Sequence, residues 1–178
     1  MFPTAPTLGA EIDRMGRPAI NTALNHAFDA ACQPGVTCAS KDTYNTDTNE
    51  AMWPTKWAPV FVPNLGILDA LDGTCGNQLF YTKPVAATSY NVLAGALADD
   101  RLYLDTSTAT CTQYLGAELH ALVPATFPAD CGGRGLDYNV MDTTYSALAA
   151  GALTGVSNGI TKNDVLNSAT FPYEAVPH

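Results

Sequence analysis

The stretch that most constrains this chain is Asp13-Arg14-Met15-Gly16-Arg17-Pro18-Ala19-Ile20-Asn21-Thr22-Ala23-Leu24. It gathers an acid, two arginines, a glycine, a proline and an asparagine, then turns apolar. Pro18 holds φ near −65° and suits the first turn of a helix. Behind it, Ile20, Ala23, Leu24, Ala27, Phe28 and Ala31 fall at helical spacing, so a helix is expected from Pro18 to Ala31. A strand through Ala19–Leu24 is the alternative. Asp13, Arg17 and Asn21 form the first candidate binding group. A guanidinium can take a carboxylate or phosphate bidentately. Crowded by glycine and proline, the same group more naturally ties loop carbonyls to the neighbouring acids. The structural role is the expected one.

Downstream, regular elements are harder to read. Residues 33–64 contain Pro34, Pro54, Pro59 and Pro63 and a polar run from Lys41 to Glu50. They are expected to be irregular, pinned to the core by Trp53 and Trp57. Such a long irregular segment is unusual in a compact domain unless it is anchored or functional. Pro63–Leu71 reads as a short helix ending near Gly73, and Val92–Ala98 as a short helix or a buried turn. Gln78–Tyr81 and the alternating Arg101–Asp105 read as strands. Thr112–Leu122 leans to helix through Tyr114, Leu115, Leu119 and Leu122. Val140, Met141, Thr144, Tyr145, Leu148 and Ala149 mark the clearest helix, with Asp137 as its cap and Gly151 as its stop. Thr161 and Asp164 suit the start of a last short helix.

These elements predict an α+β fold: a single helix-leaning domain over residues 13–178, with short strands, high loop content and one or two disulfides. Residues 1–12 are read as an extended N-terminal arm. The helical pattern after Asp137 argues against an all-β jelly roll. Ile20, Leu24, Phe28, Leu68, Leu71, Leu102, Leu104, Val140, Leu148 and Phe171 are the expected core.

Charge and cysteine usage restrict the function classes. With 8 basic and 17 acidic residues the net charge is −9. That argues against nucleic acid as a partner, since a phosphate backbone needs clustered Lys and Arg, and against anionic membrane surfaces. No apolar run approaches the roughly 20 residues of a membrane span, so membrane insertion is not expected. Met1-Phe2-Pro3 opens into polar sequence without a signal peptide, so an exported form would be the mature part. None of the five cysteines forms a CxxC pair. Cys32 and Cys38 flank Pro34-Gly35, a strong turn signal, and are expected to pair. Of Cys75, Cys111 and Cys131, one more pair and one leftover thiol are expected, with Cys111–Cys131 favoured. Disulfides place the chain in an oxidising compartment.

The Asp13–Thr22 block also resembles an uncharacterised bacterial family, catalogued as domain of unknown function 4331. The likeness returns at Asp99–Thr106, at Gly133–Asp142, and at Asn163-Asp164-Val165 with Phe171-Pro172-Tyr173 and Pro177-His178. The blocks keep one order along the chain. The resemblance implies export to the periplasm or the extracellular space, and it carries no established activity or catalytic residue.

Catalytic signatures are missing. There is no G-x-S-x-G elbow, and His26, His120 and His178 lie far apart with no metal-binding spacing. Asp42, Asn45 and Asp47, with Asn49 and Glu50 beside them, are candidate oxygen ligands for calcium, though without EF-hand spacing. No other cofactor is expected. The favoured function is a non-catalytic binding or assembly component at the cell surface or in the periplasm, with another protein or a second copy as partner. The alternatives are a metal-dependent or hydrolytic exported enzyme, and a subunit of a larger complex or filament.

Overall fold

A computed structural model describes residues 7, 9–32, 38–81 and 88–176. Among the described residues six α-helices are formed: α1 (Ile20–Leu24), α2 (Ala39–Asn45), α3 (Trp53–Asp69), α4 (Asn91–Ala98), α5 (Gly116–Leu122) and α6 (Val140–Ala150). Among the described residues there is no sheet, only an isolated antiparallel bridge between Leu104 and Gly132. The expected α+β class is therefore wrong: the fold is helical with long irregular connections.

The chain divides into two compact units. One holds residues 1–68 and 80–100, the other 69–79 and 101–178.

The first unit is built on α3. Trp53, Trp57, Phe61, Leu65 and Leu68 are buried and recur every three or four residues, so they form one stripe of the helix. This helix replaces the irregular segment expected over residues 33–64, where proline argued against any helix. Pro54 lies in the first turn, which needs no amide donor. Pro59 and Pro63 lie inside the helix, four residues apart and exposed. The carbonyls they leave unpaired are on the solvent side, where water can reach them. Tyr44 of α2, fully buried, meets Trp57 edge-on at 5.0 Å and Phe61 at 5.9 Å.

α1 is shorter than the expected Pro18–Ala31. Asn25 leaves the helix in an extended conformation, and His26 follows at φ 53°. The fully buried Asn25 amide donates to Ser40 O and Asn21 Oδ1. These bonds pull the chain out of the helical path. Phe28, past that break, is 49% exposed and not in the core.

The second unit holds α5 and α6. α6 starts where Asn139 accepts from the Asp142 amide, so Asn139 is the cap in place of Asp137. It ends at Gly151, φ 60°. The expected strand Arg101–Asp105 is extended but finds only a short backbone partner: Asp105 N donates to Cys131 O and Gly133 N to Tyr103 O. Alternation alone cannot make a sheet without a second strand, so Leu104 is exposed. Gln78–Tyr81 is turn rather than strand, and no helix follows Thr161. Leu71 and Phe171 are exposed as well, at 66% and 84%, while Ile20, Leu24, Leu68 and Leu148 are buried as expected.

Candidate functional site

The expected binding residues of the first unit are structural in their contacts. Asp13 Oδ1 accepts from the Arg14 amide. Arg17 is buried; its amide donates to Asp100 Oδ1 at 2.9 Å and its Nη1 to Ala96 O at 2.8 Å. Asn21 Nδ2 donates to Lys41 O and to Asn45 Oδ1. These residues join the approach to α1 to α2 and to the C-terminal carbonyls of α4.

Arg14, outside the expected binding group, is the centre of this cluster. Its guanidinium lies 3.9 Å from the Tyr44 ring centroid and 3.6 Å from that of Trp53. Nη2 donates to Ala98 O at 3.0 Å and Nη1 to Tyr44 O at 3.4 Å. Asp100 Oδ2 is 4.0 Å from Arg14 Nε, beyond hydrogen-bonding distance. Burial therefore outweighs the Arg17 amide bond and the two guanidiniums and pushes the Asp100 carboxyl up to about 6. The Tyr44 hydroxyl is raised too, by burial first and the Asp100 charge second. The signal in the sequence was the second arginine of the Asp13–Arg17 block; its aromatic partners lie 30 and 39 residues further on.

Of the three candidate calcium ligands, Asn45 and Asp47 have other partners. Asp42 is exposed on α2, and Asn45 is engaged with Asn21. Asp47 Oδ2 accepts from Trp57 Nε1 and Lys56 Nζ, each at 2.9 Å. Among the described residues no three His, Cys, Asp or Glu side chains are grouped to hold a metal ion. Both expected disulfides are present, Cys32–Cys38 and Cys111–Cys131, and Cys75 is an exposed free thiol. Among the described residues no helix is long and apolar enough to cross a membrane.

A groove lies in the second unit. Residues 151–176 form no helix or strand and are tied down by polar bonds. Val156 N donates to Ser146 Oγ, Asn158 N to the Asp142 carboxylate, and the side chains of Asn163 and Asn167 to Asp137 Oδ1. Four apolar side chains are left outside: Ile160, Leu166, Phe171 and Val176 are each 65% exposed or more. Where this segment passes the start of α6 it encloses a groove of about 470 Å³. Leu136, Asp137, Tyr138 and Asn139 line one side, and residues from Asn158 to Leu166 the other. The Tyr138 ring lies over Gly135, whose missing Cβ would come within 3.3 Å of it.

Comparison with family models, with curated proteins and with solved structures found no match.

Proposed function

We propose that this protein is an exported, non-catalytic binding or assembly component, acting at the cell surface or in the periplasm through the face formed by residues 136–139 and 151–176. The outward apolar side chains of residues 151–176 carry this reading. A segment anchored through Ser146, Asp142 and Asp137 while Ile160, Leu166 and Phe171 face water forgoes the burial of roughly 1.5–3 kcal/mol that each large apolar side chain can contribute. Exposed apolar side chains that gather into a patch mark interaction sites. The two disulfides support an oxidising compartment. The resemblance to the exported family catalogued as domain of unknown function 4331 points the same way and is part of the proposal.

Co-sedimentation with a bacterial cell-envelope fraction tests it. Wild-type protein should pellet with the envelope. A variant carrying Ile160→Ser, Leu166→Ser and Phe171→Ser should fold with an unchanged melting midpoint and stay in the supernatant. Equal pelleting of the two proteins, or no pelleting of either, would reject this face as the binding surface.

A further inference from the structure

The lining of the groove beside α6 is specific enough to name a ligand class. Its polar side chains keep bonding capacity that the fold does not use. Asn158 Oδ1 accepts from the Ile160 amide, which leaves the Asn158 NH₂ group as a donor. Asn163 gives its NH₂ group to Asp137 Oδ1, which leaves its carbonyl oxygen as an acceptor. Asp137 Oδ1 takes both asparagine donors, and Oδ2 remains. Thr161 and Lys162 are exposed on the same side. The Tyr138 hydroxyl holds its proton more tightly than usual through burial and the nearby Asp130 charge, so it is a donor.

Donors and acceptors thus line one concave surface together with a tyrosine and the side chains of Leu136, Ile160 and Leu166. The single carboxylate and single ammonium offset each other, so nothing favours a charged ligand. One acidic side chain is too few for a cation site, and one lysine in a protein of net charge −9 is weak attraction for an anion. A pyranose ring has the matching surface. Its edge carries hydroxyls that both donate and accept, and its faces carry C–H groups that pack on aromatic and aliphatic side chains. The groove volume lies within the ordinary range for small-ligand sites, about 300–1,000 Å³.

We infer that the groove formed by residues 136–139 and 158–166 binds a neutral polyhydroxylated ligand, a short stretch of glycan. This deepens the proposed function and rests on it, since it names the component that the face would meet.

NMR titration of the full chain with maltotriose, cellotriose and chitotriose provides the test. At least one should shift the amides of residues 158–163 saturably, with half-saturation at about 1 mM or below. Thr161→Val combined with Lys162→Met removes two exposed polar groups that the fold does not use. It should leave the melting midpoint unchanged and weaken binding at least about tenfold, the loss expected for one or two hydrogen bonds. No shift of these amides with any of the three sugars, or an unchanged affinity in the variant, would overturn the inference. If the wild-type protein still pelleted with the envelope and the apolar variant did not, the glycan inference would fall alone and the binding role would stand.

Discussion

Arg14 has its charge in the interior of the first unit, and its geometry decides what can replace it. The guanidinium is stacked between Tyr44 and Trp53 and donates to two carbonyls. Lysine keeps the charge but has neither the planar faces nor the forked donors. Arg14→Lys should therefore cost about 2–4 kcal/mol, a fall of about 5–15 °C in melting midpoint for a chain of this length. A midpoint within about 2 °C of wild type would show that the stack and the carbonyl bonds contribute little. Asp100 makes a second, pH-dependent test. Its carboxyl titrates at about 6 in the fold, above its ordinary 3.8. Between those values the folded state holds the proton that the unfolded chain has released. Its stabilising contribution is complete below about pH 4 and is lost as pH rises through 6. Urea titrations from pH 4 to pH 7 should show wild-type stability falling by up to about 3 kcal/mol relative to Asp100→Asn. Parallel pH profiles for the two proteins would mean that Asp100 titrates normally.

Among the elements, α3 and α6 show opposite relations between local signal and outcome. α3 forms through a proline-rich stretch because its buried stripe of Trp53, Trp57, Phe61, Leu65 and Leu68 outweighs two interior prolines on the solvent side. Those prolines, as backbone breakers, mask in the sequence the helical spacing of the tryptophans. Although its cap is Asn139 and not the expected Asp137, α6 is legible from its helical spacing to its stop at Gly151. What its sequence does not reveal is why glycine must stand there. A Cβ at Gly151 would lie 2.1 Å from Asn77 O, and its φ of 60° is left-handed. The Gln78 side chain also donates to Leu148 O in the last turns of the same helix. Gly151→Ala should therefore push the segment at 77–78 away from α6. The cost should exceed the roughly 1–2 kcal/mol of a left-handed alanine, and chemical denaturation will read it. A loss below 1 kcal/mol would show that the segment moves aside freely.

For the molecule as a whole, two cross-links and one thiol define the covalent frame. Thiol titration of unreduced, denatured protein should find one reactive group per chain, Cys75; three or more would refute one of the pairings. The sequence separations of the bonded cysteines are 6 and 20. In the chain-entropy account these loops contribute about 2 and about 3 kcal/mol. Replacing Cys111 and Cys131 by serine should thus destabilise more than replacing Cys32 and Cys38, as measured by urea unfolding of the two variants.

The pairing of Cys32 with Cys38 could be read from the chain because a Pro-Gly turn and a short separation are local facts. α4 and α6 were legible for the same reason, since helical spacing involves residues a few positions apart. The structural role expected for Arg17 came from the crowding of its immediate neighbours, and its buried contacts agree with it. The importance of Arg14 was not legible, because its partners Tyr44, Trp53 and Ala98 come from three distant segments. Nor was the failure of Arg101–Asp105 to become a strand: alternation states what one strand needs on its faces, but a sheet also needs a paired backbone beside it. The groove next to α6 was invisible for a related reason. Its two sides are separated by about twenty residues of chain, and bonds to the side chains of Asp137, Asp142 and Ser146 tie them together. Local spacing determined which segments could be helices. Long-range burial and hydrogen bonding decided which of them formed, and which apolar side chains stayed in water.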